Sequence, residues 1–184
     1  MRVTGGSLRG KKLSPLRGSN IRPTSDYVRE SIFNILIGMV EDSVVLDLFA
    51  GTGSLGIESL SRGASKAVFV DRAPQAIKAI SRNVHACILE GRSHILKRNV
   101  FWGLDFLKPI SPAFDLIFVD PPYEKDFAKR TLQLLDGTEM ISPGADIVVE
   151  HSSREILPEK TTRLSLRDQR RYGKTLVSFY SPML

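Results

Sequence analysis

From Val44 onward, short runs of β-branched and aliphatic residues alternate with segments of helical period, the pattern of a parallel sheet flanked by helices. Strands are predicted at 44–49, 66–71, 94–99, 114–119 and 146–151. Between the first two, 54–62 predicts a helix closed by Gly63. A longer helix over 74–90 places Ile77, Ile80, Val84 and Ile88 on one face and is closed by Gly91, and a third over 126–136 stops at Gly137. Upstream, Ser25 is placed to cap a helix reaching Met39, with Val28, Ile32, Ile35, Leu36 and Met39 at core spacing. The tail from 163 to 180 reads as two strands joined through 169–173, a closing hairpin. The first 24 residues, rich in Gly, Ser, Arg and Lys, predict loops with room for a short hairpin. The chain therefore divides into an N-terminal arm, 1–24, and one globular domain, 25–184.

With 184 residues and 42% hydrophobic side chains, the chain can bury a core. Its longest apolar runs, such as 44–46 and 116–119, fall far short of the roughly 20 residues of a membrane-spanning helix. The N-terminus carries no secretory pattern, and Cys87 alone builds no disulfide framework. A cytoplasmic protein without a membrane partner is expected. Charge adds a further feature: of the net +6, five charges lie in the first 30 residues, where Arg2, Arg9, Lys11, Lys12, Arg17, Arg22 and Arg29 are set against only Asp26 and Glu30. An excess gathered into one arm fits a polyanion partner, because each neutralised phosphate releases condensed counterions. A solvated tail would carry the same charge.

The first strand runs into Asp47-Leu48-Phe49-Ala50-Gly51-Thr52-Gly53-Ser54-Leu55-Gly56, a tight turn that opens a helix, and the second ends at Asp71, beside Arg72. Strand, glycine loop, helix and acid in this register are the parts of a nucleoside site, in which the carboxylate accepts hydrogen bonds from the ribose hydroxyls. Phe49, Ala50 and Thr52 belong to the same loop. Gly51, Gly53 and Gly56 also satisfy the dinucleotide pattern, but a pyrophosphate wants positive potential at this turn, and Asp47 would repel it. S-adenosylmethionine carries a sulfonium and an ammonium and no phosphate, so Asp47 favours that donor. Asn99 and Val100, after the third strand, could offer an amide and an apolar face to the adenine. Asn99 is equally an ordinary turn residue, and Asp105 competes for the role.

The fourth strand ends in Asp120-Pro121-Pro122-Tyr123. A nucleobase amine is a poor nucleophile because its lone pair is delocalised into the ring, and two rigid acceptors that draw its hydrogens out of the plane would correct that. The Asp120 carboxylate and the Pro121 carbonyl can each take one hydrogen, while the prolines fix φ. Tyr123 can stack on the extruded base, and Asp120 is placed to receive the proton that leaves the amine. Ligands in open parallel sheets bind beyond the carboxyl ends of the strands, so donor loop and tetrad are expected to share one crevice, with Asp47 behind the donor and Asp120 on the amine.

Other residues read as structural. His85, His94 and His151 are scattered without metal-ligand spacing, so no metal is expected. Cys87 and Trp102 are assigned to the core, although Trp102 could also cover the adenine. Arg163, Arg167, Arg170, Arg171 and Lys174 either extend the polyanion surface or simply alternate along an exposed hairpin.

Together these residues resemble the class I methyltransferases. The flanking segments resemble one family among them, the bacterial RsmD-type 16S ribosomal RNA guanine-N2 methyltransferases. The likeness runs through Arg2-Val3-Thr4-Gly5-Gly6, Leu8-Arg9-Gly10, Arg22-Pro23-Thr24 and Val28 to Leu36. It continues through Asp47 to Glu58, Phe118 to Tyr123 and Arg171-Tyr172-Gly173. It implies an α/β, Rossmann-like fold: a mostly parallel seven-stranded sheet with a C-terminal antiparallel hairpin. The implied activity is methylation of a guanine amine in 16S rRNA or the assembling 30S subunit, and a monomer is expected. It adds Glu58 to the donor residues and puts RNA engagement on Arg9, Lys11, Arg22, Thr24 and Arg29, beside the arm cations Arg2 and Lys12. Tyr27, Asp71 and Asn99 depart from the arginine, glutamate and aspartate usual in the family.

Rival readings are a DNA adenine-N6 methyltransferase, for which about 184 residues leave no target-reading domain, and a protein-glutamine methyltransferase, for which Asn is expected at position 120. A non-enzymatic RNA-binding module and a dehydrogenase complete the set.

Overall fold

The computed structural model describes residues 1–16, 25–123 and 126–183. They form two compact units, Met1–Arg98 and Asn99–Leu184.

In the first unit, α1 (Asp26–Ile35) starts where Ser25 accepts a hydrogen bond from the Val28 N–H at 3.2 Å, so the cap legible in the sequence is real. The helix stops four residues short of Met39, and Met39 and Ile37 are exposed. β1 (Val44–Leu48), α2 (Ser54–Ser61), β2 (Lys66–Asp71), α3 (Pro74–Ala86) and β3 (Ser93–Lys97) follow. β1 pairs with β2 and β2 with β3, both in parallel. Phe69 on β2 is fully buried, and burying such a side chain stabilises by about 1.5–3 kcal/mol.

α3 corrects the expected helix over 74–90. It ends at Ala86, and Gly91 is not its cap. Ile88 takes a left-handed φ of 57° while its N–H donates to the His85 carbonyl, and the Leu89 N–H reaches back to the Val84 carbonyl. This is a Schellman termination with isoleucine where glycine is usual. Its side chain, expected in the core, is 88% exposed, while Cys87 and Leu89 on either side are buried. Burial of those two neighbours offsets the backbone cost of the left-handed isoleucine.

In the second unit, β4 (Phe114–Val119) pairs in parallel with β5 (Ile141–Ser152), separated along the chain by α4 (Phe127–Asp136). β6 (Leu164–Tyr172) and β7 (Thr175–Pro182) form the closing hairpin, and β7 lies antiparallel between β5 and β6. The hairpin turns at Gly173, with φ 63°, so β6 continues through the segment expected to be its loop. β5 begins five residues before the expected 146, and a register shift between Phe114 and Leu116 accommodates Pro143 and Gly144. The described residues thus hold seven strands, mostly parallel and closed by an antiparallel hairpin, the fold class expected.

Candidate active site

Within the first unit, the glycine loop leaves β1 through Phe49, whose φ of 61° is costly for an aromatic residue. The turn closes by a hydrogen bond from the Gly53 N–H to the Ala50 carbonyl at 2.7 Å, and Gly53, at φ 78°, opens α2. Ala50, Thr52 and Gly53 are buried and Gly51 is half-buried. Gly56 has a packing reason: a Cβ there would lie 2.3 Å from the Phe69 ring, so only glycine lets α2 sit this close to β2.

Two carboxylates fix the loop. Asp71 accepts from the Gly51 N–H at 3.0 Å and from the Ala73 N–H at 2.9 Å, which holds its half-buried carboxylate at the carboxyl end of β2. Arg72 beside it is exposed. Asp47 is buried and accepts from the Gly56 N–H at 3.0 Å. Burial pushes its carboxyl up to about 8, against the pull of the Gly56 bond and with a further push from the Asp71 charge. A buried acid held neutral until a cation arrives suits a cationic ligand, and the donor set fits S-adenosylmethionine in that respect.

Glu58 faces elsewhere. It is fully buried, and its oxygens accept from the Thr4 N–H and hydroxyl, the Gly5 N–H, Arg29 Nε and Arg62 Nε at 2.7–3.3 Å. It therefore clamps the N-terminal arm onto α2. Arg29 requires a correction: expected to engage RNA, it is fully buried between Glu58 and Asp26 and donates to the Arg2 carbonyl. Its charge is spent inside the protein. Arg2, Arg9, Lys11 and Lys12 are exposed on an arm closed by an antiparallel bridge between Arg2 and Lys12. Arg22 and Thr24 lie outside the described residues.

Within the second unit, Asp120 follows β4 directly and is half-buried, Pro121 is buried and Pro122 is exposed. The Tyr123 hydroxyl donates to Glu150 Oε1 at 3.0 Å and hydrogen-bonds Thr175 Oγ1 at 2.8 Å, so β5 and β7 aim a ring that is 40% exposed. Partial burial and the nearby Glu150 charge raise the phenol above its ordinary range, so Tyr123 stays neutral. Asn99 Oδ1 accepts from the Phe101 N–H at 3.1 Å, capping the turn over Val100–Trp102, and Val100 is buried. Asp105 is paired with Lys108 at 2.6 Å. Trp102 is a second correction: it is 86% exposed and outside the core. In the hairpin, Arg167 pairs with Asp146 and Arg170 with Asp168, at 2.6 and 2.9 Å.

The family model described as conserved hypothetical protein 95 matches residues 1–181. The chain belongs to this RsmD-type family. It is 37% identical over 180 residues to a Bacillus subtilis protein named as the rRNA methyltransferase YlbH, covering 98% of each chain. It is 36% identical over 170 residues to ribosomal RNA small subunit methyltransferase D of Haemophilus influenzae, covering 89% of this chain and 86% of that one. Among solved structures it is similar to an Escherichia coli protein named as the methyltransferase yhhF, with a TM-score of 0.85, 31% identity and coverage of 99% and 97%. The RsmD-type chain thus has the class I methyltransferase fold along almost its whole length. No helix among its described residues is long and apolar enough to cross a membrane.

Proposed function

We propose that the chain transfers a methyl group from S-adenosylmethionine to the exocyclic N2 amine of a guanine in 16S rRNA. The observation that carries the reading is the Asp120-Pro121-Pro122-Tyr123 tetrad at the carboxyl end of β4, with its tyrosine tethered to Glu150 and Thr175. The names of the B. subtilis and H. influenzae relatives support ribosomal RNA as the substrate.

The donor supplies an electrophilic methyl on a sulfonium, and the transfer leaves a neutral thioether. The first unit's residues bind it: Asp71 at the ribose hydroxyls, the backbone of Gly51 and Gly53 alongside, and Asp47 as the acid that ionises against the cation. Asn99 and Val100, at the start of the second unit, serve the adenine. In the second unit, Asp120 and the Pro121 carbonyl accept the two amine hydrogens and free the nitrogen lone pair for attack. As the N–C bond forms, Asp120 stabilises the positive charge on nitrogen and takes its proton. The Tyr123 ring stacks on the base, a contact of about 1–3 kcal/mol. Arg2, Arg9, Lys11 and Lys12 hold RNA phosphates, and replacing Arg9 and Lys11 by alanine should flatten the salt dependence of binding by roughly one unit of slope per lost contact.

The test is a nucleoside digest of 16S rRNA from cells with and without the gene. Loss of N2-methylguanosine in the deletion strain, restored by the wild-type gene and not by Asp120→Ala, supports the reading. An unchanged guanosine profile contradicts it.

A further inference from the structure

Asn83 sits on α3 with 1% of its surface exposed, and no step of the chemistry above uses it. Its amide makes three hydrogen bonds, all to backbone. Oδ1 accepts from the Ser14 N–H at 2.8 Å, while Nδ2 donates to the Ser14 carbonyl at 3.1 Å and to the Thr52 carbonyl at 2.9 Å. One planar side chain thus joins Ser14 of the arm to the middle of the glycine loop. The join is reinforced at Met1: the Thr52 hydroxyl contacts Met1 Sδ at 3.7 Å, and the Leu13 N–H donates to the Met1 carbonyl at 3.2 Å. Beyond the loop, Glu58 and Ser61 on α2 hold Thr4, Gly5 and Leu8 of the same arm. The exposed cations of the arm and the loop from 51 to 53 are therefore parts of one hydrogen-bonded body.

We propose that Asn83 is a positioning residue that couples donor binding to RNA binding: it ties the loop that receives the donor to the arm that receives RNA, so that each ligand strengthens the other. The inference rests on the reading of loop and arm given above. The physical basis is ordering. A donor seated against the backbone of Gly51 and Gly53 restrains the Thr52 peptide, and through Asn83 it restrains Ser14. RNA arriving at the arm then meets a surface whose conformational freedom is already lost, and linkage makes the effect reciprocal. An aliphatic side chain in the place of Asn83 would bury the Ser14 N–H and two carbonyls without partners. Aspartate keeps Oδ1 as acceptor for the Ser14 N–H but turns an oxygen toward both carbonyls, so it breaks the tie to Thr52 by repulsion, and alanine breaks it by removing the amide.

The experiment has two arms, both on the full chain with S-adenosylhomocysteine as probe. Calorimetry first establishes that the probe binds, and amide exchange is then followed at Ser14, Val3 and Gly10. We expect exchange at Ser14 to slow when the probe binds to the wild type and to stay unchanged in Asn83→Asp. In the second arm, affinity for a 16S rRNA fragment is measured with and without the probe. It should rise about fivefold or more in the wild type, and the gain should vanish in Asn83→Asp and in Asn83→Ala. A probe that binds without altering Ser14 exchange in the wild type overturns the inference and leaves the functional reading standing, as does an Asn83→Asp variant that couples like the wild type. Failure of the probe to bind at all overturns the functional reading and the inference with it.

Discussion

Arg29 Nε lies 3.3 Å from Glu58 Oε2, and neither side chain exposes any surface. The pair joins α1 to α2, and Thr4, Gly5 and Arg62 complete the ring of donors around the carboxylate. Removing one partner of such a pair strands the other charge out of water, at a cost of about 3–5 kcal/mol. Arg29→Met should therefore lower the midpoint of urea unfolding strongly. Glu58→Gln should release the arm, seen as faster amide exchange at Thr4 and Gly5. If Arg29→Met weakened RNA binding while leaving stability intact, the buried assignment would be wrong.

Asp47 gives the protein a pH dependence of definite sign. Its carboxyl rises from an ordinary 3.8 to about 8 in the folded chain, so between those values the folded state binds a proton that the unfolded state has lost. Its contribution to stability is fully present below pH 4 and is lost as pH climbs through about 8, with a slope of up to ~1.4 kcal/mol per pH unit. Urea titrations of the donor-free protein between pH 5 and 8 should show stability falling, and Asp47→Asn should flatten the curve. Donor binding at pH 7 should release a proton, measurable as a dependence of the calorimetric heat on buffer ionisation. A wild-type curve as flat as that of Asp47→Asn would contradict the assignment.

Asp120 and Asp71 separate the consequences of mutation. Asp120→Ala should lower kcat by about 100-fold or more, the scale of a lost general base, while the affinity for S-adenosylhomocysteine stays within about threefold. Asp71→Ala removes the acceptor of the Gly51 and Ala73 N–H groups. It should weaken that ligand by roughly tenfold or more, with a smaller effect on kcat at saturating donor. Equal losses in both parameters for both variants would show that the roles are not divided this way.

Trp102 is the only tryptophan of the chain and is 86% exposed. Its emission should lie at the red, water-exposed end of the indole range and be quenched readily by acrylamide or iodide. Blue-shifted, protected emission would place it in a core after all.

How much was legible in the sequence follows the range of the interaction. Ser25 caps α1 through a bond to Val28 three residues away, and the strands that precede Gly51 and Asp120 announce themselves by short apolar runs, so local pattern sufficed for both. Ile88 defeated it because a helical period continues past a termination whose left-handed residue is not glycine, and only the burial of Cys87 and Leu89 explains the choice. The burial of Arg29 is hidden for a different reason: among seven basic residues of one segment nothing distinguishes it, and its partner Glu58 is 29 positions away. Asn83 left no signal either, since its three partners are backbone groups at positions 14 and 52. Gly56 was legible as part of a motif, but its contact with Phe69 shows that its position is also a packing requirement.

Guanine N2 as the methyl acceptor is tested most directly by incubating the purified protein with S-adenosylmethionine and 30S subunits, or their 16S rRNA, from cells lacking the gene, then digesting the RNA for mass spectrometry. N2-methylguanosine should appear with the wild type and be absent with Asp120→Ala. Methyl groups found on adenosine N6 or on ribosomal protein, or nowhere, would contradict it.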